Sequence, residues 1–301
     1  MKILGIGNTI IDTVYSTKYL PIDNKIFVDN KKIYVGGQAA NAIQTMAQLG
    51  IDVSFITKFG DDVDGDKAKQ YFSSLGIDLS KSITVEDAAT MSAAVIVCSD
   101  TNERSILMHQ DNKFSNYCTN FLINNINYYD LIYLDSYQFD LAKHVAKQAK
   151  LNNIPVLSDC ETLDSYRQEL LKYVDILVAP EDVIIELSSA NNVKDALNEL
   201  NRNNEFLAVV ATSGKNGSYG IDKNSNDVIH IDAQACNVVN STGAGDAYHA
   251  GFCFGWLNKF SLEKTMKFAT LVASAKCESS GSVVAPEQLK RLKKIIAKGF
   301  F

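Results

Sequence analysis

The chain has 301 residues, 46% hydrophobic and 21% charged, which is enough apolar material for one large core and argues against a disordered chain. Its 29 Lys and Arg against 35 Asp and Glu give a net charge of -6, and no basic cluster is present to track a phosphate backbone, so nucleic acid is not an expected partner. Its 6 cysteines include no CxxC pair and the 4 histidines no HxxxH, which points away from a disulfide framework or a zinc site and toward thiols as small core residues.

The apolar opening of MKILGIGNTIID is too short for a signal segment or a membrane span, which predicts a cytoplasmic protein with no membrane partner. Residues 2–7 read as a buried first strand, and Asp12 falls just beyond it, where ligands gather at the carboxyl ends of open α/β sheets. A dinucleotide fingerprint is absent, because Ile10 stands where the third glycine belongs. Residues 13–35 alternate apolar and polar (Val14, Tyr15; Ile26, Val28; Ile33, Val35) and predict exposed strands broken by Pro21. Gly36-Gly37-Gln38-Ala39-Ala40-Asn41 then opens a helix carrying Ile43, Met46 and Leu49, with Gly50 placed to end it.

Residues 93–97 and 105–108, joined through Asp100-Thr101-Asn102-Glu103, predict a hairpin with Arg104 on it. From Asp130 onward strands at 131–134, 156–159, 176–179 and 207–212 alternate with helices near 138–150, 163–172 and 193–201, a pattern of βαβ units and a largely parallel sheet. Ala211-Thr212-Ser213-Gly214-Lys215-Asn216-Gly217 ends the last of these strands in a Gly-bounded turn, for which a hairpin is the default reading.

Strands are expected at 228–231 and 237–239, followed by Asn240-Ser241-Thr242-Gly243-Ala244-Gly245-Asp246 and a helix with Ala247, Ala250, Gly251 and Phe254 on one face. Glycine lets backbone N–H groups approach a ligand, and a helix start adds unpaired donors and a positive dipole end, so this element is an anion cradle. Asp246 lies at the same helix start, where its ionised form is favoured and can accept a proton from an attacking hydroxyl. A lone Gly-Ala-Gly-Asp reads as a turn with an acidic cap; the strand, turn and helix context favours the chemical reading. Ser261 caps a helix over 262–277, and Pro286 starts a last, lysine-rich one.

The run NSTGAGDAYHAGFC, Asn240 to Cys253, resembles the C-terminal signature of the ribokinase (PfkB) family of carbohydrate kinases, usually Asp-Thr-x-Gly-Ala-Gly-Asp. Gly36-Gly37 with Asn41, and Gly60 downstream, resemble its N-terminal signature, departing at Ile43 where a small residue is usual. The turn from Thr212 to Gly217 is similar to its Thr-x-Gly-x-x-Gly element.

The resemblance implies one ribokinase-like α/β domain over 1–301. Its mostly parallel, Rossmann-like sheet would be flanked by helices, with a small β-strand lid built from about 13–35 and 92–109. It implies phosphoryl transfer from ATP, with Mg2+, to a primary hydroxyl of a sugar. Asp246 would be the base and Gly243, Ala244 and Gly245 the anion hole. Asp12, Gly36, Gly37, Asn41 and Arg104 would hold the sugar, and Thr212, Gly214, Gly217 and Thr242 would stand at the nucleotide. No Walker Gly-x-x-x-x-Gly-Lys motif is present.

Three departures or accents refine this. The family's Asn-x-x-Glu motif is missing after Ala179-Pro180, which leaves Mg2+ ligation unassigned. Val272-Ala273-Ser274-Ala275-Lys276-Cys277 looks like a Val-Ala-x-x-Lys-Cys run of the ketohexokinase-like branch, and that branch and sulfofructose kinases place an Arg much as Arg104 stands; both incline the reading to a ketose or ketose derivative. The alternatives are a nucleoside kinase or a non-catalytic sugar- or nucleotide-binding regulator on the same fold. Asn240 replaces an Asp that helps hold a monovalent cation in the family, in the region of Asn240 and Ser280. The expectation is weak potassium dependence, with the loop ordered by Ser241, Ser279 and Ser280. Uncovered lid strands would be edge liabilities, so a homodimer through the lid is expected.

Overall fold

In the parallel strands apolar side chains alternate between two buried faces: Ile3 belongs to one core cluster, and Leu4 and Ile6 to the other. The fold is seen in a computed structural model that describes residues 1–21, 23–101, 104–115, 123–135, 137, 139–203, 206–225 and 227–299. In chain order come β1 (Lys2–Ile6), β2 (Ile10–Thr17), β3 (Asn30–Gly36), α1 (Gln38–Gln48), β4 (Asp52–Ile56), β5 (Lys58–Gly60), α2 (Val63–Ser74), β6 (Ile83–Val85), β7 (Ser92–Cys98), β8 (Arg104–His109) and α3 (Asn112–Ser115). Next are β9 (Leu131–Asp135), α4 (Phe139–Leu151), β10 (Val156–Asp159), α5 (Ser165–Leu171), β11 (Ile176–Pro180), α6 (Glu181–Ser188), α7 (Val193–Asn203) and β12 (Ala208–Thr212). The chain closes with β13 (Ser218–Asp222), β14 (Ile229–Ile231), α8 (Ala244–Leu257), α9 (Leu262–Cys277) and α10 (Pro286–Ala297).

The main sheet has the order β14-β13-β12-β11-β10-β9-β1-β4, parallel from β12 to β4, with β13 and β14 added antiparallel. Residues of α1, α2, α8, α9 and α10 pack on one face and residues of α4 to α7 on the other. This is a ribokinase-like α/β arrangement. Because β1 has β4 on one side and β9 on the other, the direction of winding reverses between β1 and β9, and the carboxyl ends at that reversal open a crevice. Gly7 to Thr9 are all that separates β1 from β2, so a second, four-stranded sheet of order β3-β2-β7-β8 rises from the same end. Among the described residues no helix is long and apolar enough to cross a membrane.

Three expectations need correction. No strand forms at 237–239: Val238 and Val239 are exposed, and the amides of Val239 and Asn240 donate to the Cys277 carbonyl at 2.8 and 3.1 Å instead of to a ladder. Ile26 and Val28 lie outside the strands, in the excursion between β2 and β3, and Phe27 between them is exposed. Helix α6, absent from the sequence reading, begins directly after Pro180, whose fixed φ suits the cap position it occupies. Asn102 and Glu103 of the β7–β8 connection, position 138 ahead of α4, and Cys118 lie outside the described residues.

Candidate active site

Helix α8 is buried on almost every side from Asp246 to Gly255 and packs against α1 and α9, so its N-terminus is held rigidly at the crevice. Gly243 caps it at φ 84, and a Cβ there would meet the Ser282 carbonyl oxygen at 2.1 Å, so only glycine permits this turn. The amides of Gly243 and Gly245 have no protein acceptor among the described residues, whereas that of Ala244 donates to the Ser241 carbonyl at 3.1 Å. The three amides expected to form an anion hole are thus not equivalent: that of Ala244 is turned onto its own loop. Thr242 N–H donates to Asn240 Oδ1 at 2.9 Å, which closes the loop from its other end.

Asp246 lies in the first turn of α8 and is 9% exposed. Its Oδ2 accepts from Asn41 Nδ2 at 2.8 Å, so the two signature elements, 205 positions apart, meet at this bond. Burial first, and Asp159 next, push the Asp246 carboxyl up to about 8, against the Asn41 hydrogen bond. Gly37 caps α1 at φ 105, which sets the direction from which Asn41 enters. Gly36 packs so closely on Asp12 that a Cβ would meet its Oδ2 at 2.2 Å, and burial raises Asp12 to about 6.

Two cavities open on the Asn240–Asp246 loop from opposite sides. One, of about 440 Å³, lies between the small sheet and the body and is lined by Asp12, Tyr34, Arg104, Asn240, Thr242 and Ser280 among others. The other, of about 540 Å³, is lined by Thr212, Gly214, Gly217, Ser241, Ala244 and Gly245, with Tyr248 and Cys277. Gly214 and Gly217 are both the β12–β13 hairpin turn and part of this wall. Cys236 and Cys277, expected in the core, are half-buried and face the same cavity.

Strand register ranks the small sheet's inner face into three rungs: Tyr34, Asp12, Ala93 and Met108; then Lys32, Val14, Val95 and Ile106; then Asn30, Ser16, Val97 and Arg104. Arg104 therefore stands about 13 Å along the strands from Asp12. Its guanidinium donates to Thr242 Oγ1 and bridges the small sheet to the loop. Lys276 is fully buried and does not line the first cavity; its Nζ donates to the Asn240 carbonyl at 2.7 Å. Of the Lys276-Cys277 run, Lys276 holds the loop and Cys277 lines the second cavity.

A buried polar cluster escaped the sequence reading. Asp135 and Asp159 end adjacent strands in register. Asp159 Oδ2 accepts from Tyr133 Oη at 3.0 Å and lies 3.3 Å from His249 Nδ1. The His249 nitrogens also face the carbonyls of Gly245 and Val178 at 2.8 and 3.1 Å. Burial drives Asp159 well up and His249 down, the directions in which one proton serves both. Apolar strands ending in Asp, LIYLD and VLSD, were the available signal.

Asp135 accepts from the amides of Asn8, Ala39 and Tyr137 at 3.0, 3.3 and 3.1 Å, and so ties the β1 exit to the start of α1. Asp135→Ala strands these donors and is expected to destabilise the fold by about 2–4 kcal/mol. Urea unfolding with an unchanged midpoint would contradict that role.

Residues 2–288 match the family described as pfkB family carbohydrate kinase. A nucleoside kinase of Methanocaldococcus jannaschii is 25% identical over 284 residues, which cover 93% of this chain and 91% of the relative. A 5-dehydro-2-deoxygluconokinase of Bacillus subtilis is 26% identical over 313 residues, covering 96% of this chain and 95% of the relative. The solved structure of Arabidopsis thaliana ribokinase complexed with ribose and ATP aligns with a TM-score of 0.84 at 22% identity, covering 97% of this chain and 98% of that chain.

Proposed function

The chain belongs to the pfkB family of carbohydrate kinases, and from that premise we propose that it transfers the γ-phosphate of ATP to a primary hydroxyl of a ketose or ketose derivative. The observation that carries this reading is that two cavities share the Asn240–Gly245 loop, which Asp246, bonded to Asn41, directly follows in the first turn of α8. The acceptor occupies the cleft under the small sheet and the nucleotide the cavity along Thr212, Gly214 and Gly217. The acceptor oxygen bonds to the γ-phosphorus as the bond to the β-phosphate bridging oxygen breaks, and Asp246 takes the hydroxyl proton. The amides of Gly243 and Gly245, with the α8 dipole behind them, offset the charge on the phosphoryl oxygens.

Mg2+ accompanies ATP in such reactions. Among the described residues no group of three or more His, Cys, Asp or Glu could hold an ion. Glu181, where α6 starts, accepts from Ser213 Oγ beside Thr212 and is a carboxylate close to the proposed nucleotide cavity.

Asp12 lines the polar end of the acceptor cleft; Gly36, packed on Asp12, and Gly37 and Asn41 at the start of α1 lie behind it and are not part of the wall. The second rung sets Lys32 beside the apolar Val14, Val95 and Ile106 and accommodates a body beyond that end. That rung equally suits a nucleoside base, the second reading. The small sheet acts as a lid, and its edges β3 and β8 are the surfaces through which two copies would pair. A cytoplasmic setting agrees with this chemistry.

Direct detection of ADP with ketoses, aldoses, amino-sugar adducts and nucleosides as acceptors tests the assignment. Ketoses or their derivatives are expected to lead, and adenosine as the best acceptor would replace this reading with the second. Arg104→Ala is expected to raise KM for the sugar about three- to tenfold while KM for ATP stays near the parent value. Equal changes in both constants would remove Arg104 from the acceptor side.

A further inference from the structure

The loop that carries the site is stitched to the end of α9 and to the segment after it by hydrogen bonds. Cys277 O accepts from Val239 and Asn240 N–H, Lys276 Nζ donates to Asn240 O at 2.7 Å, and Asn240 Nδ2 points at the carbonyls of Ser280 and Gly281, at 3.1 and 3.5 Å. Four backbone carbonyls, of Cys277, Asn240, Ser280 and Gly281, thus accept along this seam, the kind of oxygen a hard cation would use. Each of them, however, already faces a proton donor, and one donor is an ammonium.

The monovalent ion of related kinases meets a poor fit here. Asn240 brings a neutral amide that turns its N–H side to the carbonyls, and its Oδ1 is committed to Thr242 N–H at 2.9 Å. A second cation would sit beside the Lys276 ammonium and be repelled by it. Of the hydroxyls expected to order this loop, that of Ser279 is engaged elsewhere: its Oγ donates to Ala275 O and accepts from Ala285 N–H, at 3.0 and 2.9 Å.

We propose that Lys276 is the built-in cation of this enzyme, a positioning residue whose ammonium holds the Asn240 carbonyl, and through it the Thr242–Gly245 turn, in place of a bound monovalent ion. The proposal rests on the phosphoryl-transfer reading of the same loop. Lys276 is fully buried and forms no ion pair with a carboxylate among the described residues, so its charge is directed at that carbonyl. Burial pulls its pKa down to about 8, against the field of Asp246, which keeps the charged form in the majority at neutral pH.

The test uses the whole chain in potassium-free, sodium-free buffer, with KCl exchanged for tetramethylammonium chloride at constant ionic strength. ADP formation and Tm are both read. The parent is expected to change by less than about twofold in rate and to keep its Tm, because the carbonyls at this seam already face donors, the Lys276 ammonium among them. Lys276→Ala is expected to lose about ten- to a hundredfold in rate in tetramethylammonium. It should regain rate and Tm saturably with KCl or NH4Cl, which a purely structural lysine would not permit.

Saturable activation of the parent by potassium, about fivefold or more, overturns the proposal and leaves the kinase assignment standing. So does a Lys276→Ala protein that keeps parental rate, or one that neither ion rescues. If Lys276→Ala does not fold, the parent titration decides alone. If no acceptor is phosphorylated, the kinase assignment falls while the Tm arm still tests the lysine.

Discussion

Asp246→Asn is expected to lower kcat by about two to four orders of magnitude, because it removes the proton acceptor and leaves the cradle around it intact. The substitution is isosteric, and an amide oxygen can still accept from Asn41, which donates to Asp246 Oδ2 at 2.8 Å. KM for both substrates should therefore stay within about threefold. Turnover within about threefold of the parent would remove Asp246 from the chemistry. The same carboxyl sets a pH signature. With its pKa at about 8, the basic form of the free enzyme grows as pH rises, so kcat/KM should climb toward about 8 and level beyond it. Stability runs the other way: a folded pKa above the unfolded value near 3.8 stabilises fully below that value and is lost as pH rises through about 8. Activity is gained in the window where the buried carboxylate weakens the fold.

Gly243→Ala should rival that loss in rate and exceed it in stability. At φ 84 an L side chain costs about 1–2 kcal/mol, and the added Cβ would lie 2.1 Å from the Ser282 carbonyl oxygen, which must move. Ser282 lines the acceptor cleft, and the carbonyls of Ser280 and Gly281 just before it face the Asn240 amide, so the displacement reaches both sides of the loop. The expected result is about 2–4 kcal/mol of destabilisation together with about a hundredfold loss in kcat from misaimed amides. Thermal unfolding and steady-state rates measured on the same preparation check both. A folded variant with parental kcat would mean that the turn does not position the phosphoryl group.

What the sequence revealed followed from how local each signal is. The Gly243 to Asp246 turn, the βαβ alternation from Leu131 to Thr212 and the α1 start at Gly37 are written in neighbouring residues, and the structure has these elements close to where spacing places them. Strand propensity misleads at 237–239 because Val238 and Val239 meet no strand partner; the Cys277 carbonyl, from the far end of α9, captures the amides of Val239 and Asn240. Helix α6 was hidden because Glu181 to Ser188 follows a strand ending in Pro with no polar cap of the usual kind. The Tyr133, Asp159 and His249 cluster joins three distant elements, and no local period marks it. The distance of Arg104 from Asp12 depends on the register of β2 with β7 and of β7 with β8, which hydrophobic alternation alone leaves open.

The β2–β7 pairing also governs the order in which the chain can assemble. It is parallel and matches Ile11 with Ser92, so the segment between them, including α1, β4 and α2, must be gathered before the ladder can close. Closing so long an excursion is entropically expensive and is repaid only by non-local contacts. The main-sheet pairs β9–β10, β10–β11 and β11–β12 each join neighbours in the chain through a single helical crossover or two, and they form a framework with far shorter excursions. The small sheet is therefore expected to be the last region to gain its structure and the first to open, with hydrogen exchange faster in β2, β3 and β7 than in β9 to β12 as the check. The proposed acceptor cleft, one wall of which is that sheet, would then be the less cooperative side of the site, and the proposed nucleotide side the one resting on strands joined by shorter excursions.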